Sequence, residues 1–122
     1  MSTQLYDIPQ DHLSLFKKNK PNYEHIVDFL RFKRGDVARA TGLASTSVRY
    51  DGKIPKELSE ILLQWAVLFN KVAEHFKGDV YKTNLWFSVP NPLLGNISPK
   101  EMIRLGRYKK LYSFVMQSIE EN

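Results

Sequence analysis

The sequence predicts an all-α protein, and three observations carry that expectation. Residues 56–76 place Leu58, Ile61, Leu62, Trp65, Leu68, Phe69, Val72 and Phe76 at steps of three and four, which is one apolar stripe of helical period. Helix-start and helix-stop residues recur along the chain. Ser45, Pro55, Asp79 and Ser98-Pro99 can open helices, and Gly42, Gly52, Gly78 and Gly106 can close them. No segment alternates apolar and polar residues as a half-buried strand does, and no internal repeat is present.

The elements follow in order. Residues 1–21 contain Pro9, Pro21 and the basic run Lys17, Lys18 and Lys20, and read as a flexible arm pinned to the body by Leu13, Leu15 and Phe16. A helix is expected over 23–32, with Ile26, Phe29 and Leu30 at helical spacing. A second should run from Gly35-Asp36 to Gly42, and a third from Ser45 to Gly52. Pro55 opens the long helix of 56–76, whose far side carries Leu63 and Val67 and so needs a second neighbour. Asp79 starts a helix to about 87. The stretch 88–98 holds two prolines and a glycine and reads as a loop. Ser98-Pro99-Lys100-Glu101 is a helix start with its cap and first-turn proline in place, and a last helix runs over 107–120. The corresponding division is 1–21 arm, 22–54 helix-turn-helix, 55–77 linking helix and 78–122 C-terminal domain.

The helix-turn-helix reading rests on 36–50. Ala38 is small where two helices would cross, Gly42 can take a positive φ in the turn, and Val48 anchors the second helix, with Val37 and Leu43 also inward. Ser45, Thr46, Arg49 and Tyr50 would then face outward. Arg49 would read a guanine edge, while Ser45, Thr46 and Lys53 would hold phosphates. The motif departs from the usual pattern at Asp51, where an apolar residue is expected. Ile54 is the candidate replacement. The formal charge of +5 points toward an acidic partner, of which nucleic acid is the commonest.

The stretch 84–112 reads NLWFSVPNPLLGNISPKEMIRLGRYKKLY. Its Trp86-Phe87 pair is followed by Pro90-Asn91-Pro92-Leu93-Leu94-Gly95, then Pro99, Met102-Ile103 and Gly106-Arg107-Tyr108. This order resembles the C-terminal toxin-binding domain of the Xre/MbcA/ParS antitoxin family. The resemblance implies an Xre-like helix-turn-helix joined by a long helix to a small helical toxin-binding domain, covering about 23–120. It also implies a partner, a RES-domain toxin that destroys NAD, and autorepression of a shared promoter. Read from the residues alone, Trp86, Leu93, Leu94, Met102 and Ile103 are expected mainly in the core, and Asn91 ties the loop through its side chain. Arg104 and Arg107 belong to a basic cluster, either solvated or facing acidic groups on a partner.

The last helix adds a physical argument. At about 100° per residue, Tyr108, Leu111, Tyr112, Phe114, Val115, Met116 and Ile119 span an arc of roughly 200°, about twice what one core requires. Tyr112, Phe114 and Met116 are therefore expected to include partner-facing positions, in a toxin complex or a homodimer. The partner-binding set is Trp86, Asn91, Leu94, Arg104, Arg107, Tyr108, Tyr112, Phe114 and Met116.

The chain has no cysteine, so disulfides and thiolate chemistry are excluded. His12, His25 and His75 lie in separate segments, and no catalytic or phosphate-loop motif is present, so neither an enzyme nor a cofactor, metal or small-molecule substrate is expected. No run approaches the roughly 20 apolar residues of a membrane span and no signal peptide is recognisable, which suggests the cytoplasm. Three readings remain: an antitoxin that binds a toxin and operator DNA, a helix-turn-helix regulator with a dimerising C-terminal part, and an interaction protein that no longer binds DNA.

Overall fold

The computed structural model describes residues 10–120, without the side chain of Glu120. The described chain is mostly helical, as its periodicity requires. Its elements are a two-stranded hairpin, β1 (Phe16–Lys17) and β2 (Lys20–Pro21), then α1 (Tyr23–Phe29), α2 (Arg34–Thr41), α3 (Lys56–His75), α4 (Val80–Ser88), α5 (Pro99–Arg104) and α6 (Tyr108–Glu120). Single 3-10 turns lie at Ser45–Ser47 and Pro92–Leu94.

The long apolar stripe becomes the centre of the molecule. α3 packs against α1, α4 and α6, while α5 bridges α2, α4 and α6. Leu58, Leu62, Trp65, Leu68, Phe69 and Val72 of α3 are all buried, as its period of three and four foretold. Phe69 meets Phe29 of α1 at 4.9 Å and Phe87 of α4 at 5.0 Å, and Phe29 meets Phe87 edge-on at 5.6 Å. Three aromatic rings thus join the N-terminal, central and C-terminal parts through one hydrophobic cluster.

Helix ends follow local chemistry. Asn22 caps α1 by accepting from His25 N at 3.2 Å, Asp79 caps α4 from Lys82 N at 2.9 Å, and Ser98 caps α5 from Glu101 N at 3.1 Å. α2 closes on Gly42 at φ 76°, which a side chain would strain. Gly78, at φ 82°, has a second reason to lack a side chain: a Cβ there would stand 3.1 Å from the His12 ring.

The arm differs from expectation. Residues 10–21 are folded onto the body, with Leu13 and Leu15 buried, and 1–9 lie outside the described residues. Asp11 and Asn70 explain the docking. The Asp11 carboxylate accepts from Leu15 N at 2.8 Å and Phe16 N at 3.0 Å, and from the Asn70 side-chain amide at 3.0 Å. Asn70 is fully buried on α3 and accepts from Leu13 N at 3.2 Å. Apolar anchors alone do not satisfy an arm's backbone N–H groups; these two polar side chains do. The hairpin that follows was not foreseen. Its strands are two residues each, too short to show alternation, and its turn is made by Lys18 and Asn19 at φ 53° and 65°.

Replacing Asn70 by Ala should cost about 2 kcal/mol in urea denaturation, since it leaves the Leu13 N–H without its partner and removes the amide that donates to Asp11. Asp11→Ala should cost a similar amount, and the double variant less than the sum, because both residues serve one clasp.

Candidate functional site

The proposed recognition segment does not form a helix. Ser45–Ser47 make one 3-10 turn, and Val48 then turns extended at φ −83°, ψ 98°. The backbone closes three residues back, with Ser47 N donating to Ala44 O at 2.8 Å and Val48 N to Ser45 O at 3.1 Å. The local sequence accounts for this. Ser45, Thr46, Ser47, Val48 and Tyr50 are weak helix formers. Asp51 takes the Lys53 N–H at 3.0 Å, a local turn that competes with a helix. Asp51 also grips Arg49 with two bonds, 2.9 and 2.6 Å. The pair holds the Asp51 carboxyl below its usual range, through the Arg49 hydrogen bond first.

The five DNA-contact candidates therefore lie on an irregular turn. Ser45, Thr46, Arg49 and Lys53 are exposed, Arg49 is occupied by Asp51, and Tyr50 is half-buried. Val37 and Val48 are buried and Leu43 and Ile54 half-buried, so the inward positions were assigned correctly although the second helix was not. Arg34 of α2 braces the segment by donating to Ser45 O at 2.9 Å.

Three of the nine C-terminal candidates, Trp86, Asn91 and Phe114, line an apolar cleft of about 190 Å³. Its walls come from the end of α3 (His75, Phe76), α4 (Trp86), the loop (Asn91, Leu93) and α6 (Phe114, Ile119). Trp86 stands edge-on to Phe87 at 5.0 Å and is half-buried. Asn91 ties the loop as expected: its side chain accepts from Leu93 N at 2.9 Å, its N donates to Ile97 O at 3.1 Å, and its carbonyl accepts from Asn96 N at 3.0 Å.

Leu93 corrects the sequence reading. It was expected mainly in the core, yet it is 79% exposed, because the 3-10 turn capped by Asn91 lifts it off the body. Leu94 is half-buried, while Met102 and Ile103 are buried as expected. Val89 and Ile119 add exposed apolar surface, as do Tyr81 and Leu85 on α4. An exposed leucine between Pro92 and Leu94 carries no sequence signal that separates it from a buried one.

The two arginines part company. Arg104 is held by Glu101 through bonds of 2.8 and 2.7 Å, which pulls the Glu101 carboxyl below its usual range. Arg107 is exposed and borders a second depression with Leu93, Leu94, Lys109, Lys110 and Phe114.

α6 divides its wide apolar arc. Leu111 and Val115 are buried; Phe114 is half-buried on the cleft side. Tyr108 and Tyr112 pair at 6.0 Å, and Tyr108 donates its hydroxyl to Gln64 O of α3 at 3.0 Å. Met116, one turn beyond Tyr112, is half-buried. The three partner-facing candidates thus sit on two sides of α6, Phe114 at the cleft and Tyr112 and Met116 along the Tyr108 side. None of them is fully buried, and Tyr112 is 38% exposed.

Comparison with family models, curated proteins and solved structures returned no match. Among the described residues, no helix is long and apolar enough to cross a membrane.

Burial pushes the Tyr108 phenol well above its ordinary value of about 10, with Tyr112 adding to the shift. The neutral form is the one the fold favours. Its contribution is therefore present below pH of about 10 and is lost as pH rises further. Tyr108→Phe should lose about 1 kcal/mol at neutral pH through the missing bond to Gln64 O. The stability difference between wild type and variant, followed by urea denaturation, should narrow as pH climbs above about 10.

Proposed function

We propose that this chain is an antitoxin, and that it captures and neutralises a RES-domain toxin through the face made by α4, the Pro92–Leu94 turn and α6. The observation that carries the reading is the apolar cleft whose rim holds Leu93 out in water, 79% exposed on a loop fixed by Asn91. Exposed apolar side chains around a concave surface mark protein-binding sites more often than isolated exposed leucines do. Leu93 is a rigid anchor for such an interface, and Trp86, Phe114 and Ile119 line the recess beside it. The choice of toxin class rests on the likeness of 84–112 to the antitoxin family's toxin-binding domain. Arg107, exposed beside the same face, suits acidic groups on that partner.

Co-expression tests the reading. The full chain is required, because Leu15, Ile26, Leu30, Phe32, Val37 and Val48 belong to the shared core. Full-length protein should rescue cells that express a RES-domain toxin from the adjoining gene, and should co-purify with it. Leu93→Asp should weaken the complex by roughly 30-fold or more in titration calorimetry, the scale of an interface hot spot. Its thermal melt should match the wild type, since the side chain is exposed. Absence of both rescue and co-purification for the wild-type chain would sink the proposal.

A further inference from the structure

The basic hairpin lies away from the cleft and shares no lining residue with it. Lys17 and Lys20 are directly opposed across its two strands, and Lys18 sits at the turn between them. All three lysines are exposed. Among the described residues none of them forms a salt bridge. Like charges set opposite each other in a ladder disfavour the pairing, so an anion at this tip would relieve the repulsion. The hairpin is nonetheless fixed from below. Asp11 holds Leu15 N and Phe16 N, Asn22 N donates to Leu15 O at 2.8 Å, and Leu15 is fully buried.

The surroundings extend the charge. The three lysines line an open groove of about 400 Å³ with Asn22, Tyr23 and Tyr50. Tyr50 lines an adjoining recess too, where Arg34 stands. Glu24 borders both depressions and Asp28 the second, so four cations face two carboxylates. The surplus is concentrated at the hairpin tip.

We infer that the Lys17–Lys20 hairpin, with Arg34 and Tyr50 beside it, contacts the phosphate backbone of duplex DNA. The inference does not rest on the toxin reading. Closely set lysines on a fixed turn match a polymer that carries a phosphate charge every ~1.7 Å of its axis. The half-burial of Tyr23 and Tyr50 leaves little ring face for stacking, which favours a duplex over a single strand. The contact is electrostatic and reads no base edge, so it tolerates any sequence.

Fluorescence anisotropy with a labelled duplex of about 20 base pairs and arbitrary sequence tests this on the full chain. Three lysine contacts with Arg34 predict a slope of log affinity against log salt near −3.6, or roughly a 150-fold loss between about 50 and 200 mM salt, and the three lysines carry about −2.7 of that slope. The variant Lys17→Ala/Lys18→Ala/Lys20→Ala should flatten the slope by that amount. Lys71→Ala/Lys82→Ala/Lys109→Ala removes equal net charge elsewhere and should keep it. Circular dichroism of the hairpin variant should match the wild type, as the hairpin lysines are exposed, and the same measurement checks that the control variant is folded. The inference is overturned if the hairpin variant binds with unchanged slope, if the control variant loses as much, or if the wild type binds a single strand or polyglutamate as tightly as the duplex.

Discussion

The burial of α3 on more than half of its circumference is the constraint from which the other contacts follow. At about 100° per residue, its buried positions run from Leu68 through Val72, Trp65, Leu58, Phe69, Leu62, Ala73 and Ala66 to Asn70, an arc of about 200°. A surface helix covers roughly 100°. An arc twice that width cannot be closed by one neighbour, so α1, α4, α6 and the arm each take a sector. Asn70 ends the arc, and its polarity suits the place: its neighbour there is the backbone of an irregular arm, whose N–H groups need an acceptor. Leu63 and Val67 lie just past that edge. Leu63 is exposed and Val67 half-buried.

The same constraint explains what could be read from the sequence. A stripe as long as that of α3 leaves no alternative period, and side-chain caps such as Asp79 and Ser98 act within three residues, so both signals are local. The arm was legible only in its anchors. Leu13 and Leu15 announce burial, but the Asp11–Asn70 clasp joins residues 59 positions apart, and nothing local reveals it. Likewise the turn at Lys18-Asn19 departs from the Asn-Gly or Asp-Gly pairs that usually signal such hairpins.

The helix-turn-helix segment shows how a pattern can be right about burial and wrong about conformation. The spacing of Val37, Gly42, Leu43 and Val48 is met by α2, a turn and an inward valine. That spacing does not specify the backbone between Ser45 and Gly52. There the decision falls to propensity and to Asp51, whose two oxygens take Arg49 and the Lys53 N–H. The departure at Asp51 was visible in the sequence, and its consequence is larger than a missing anchor: it replaces the end of a helix by a turn. It also consumes the one arginine assigned to base recognition. Arg104 is consumed in the same manner by Glu101. The excess positive charge therefore resides mainly with lysines, which suit phosphates as point charges and lack the planar fork that reads a guanine.

Leu93 states the functional argument in its smallest form. An apolar side chain in water is unfavourable, and a flexible loop would fold it inward against Trp86 or Phe114. Here the backbone prevents that. Asn91 caps the turn with its side chain, pairs its own N–H with Ile97 O and its carbonyl with Asn96 N, and Pro92 removes a further degree of freedom. Three hydrogen bonds and a proline thus hold a hydrophobic group away from the core it stands beside. A partner that covers Leu93 would gain its burial without first ordering the loop, which removes the loop-ordering part of the entropy of association. The residues that tie the loop and the residue that the loop displays are adjacent in the chain, which makes the whole device a property of 91–97 and leaves the rest of the C-terminal fold to supply the recess next to it.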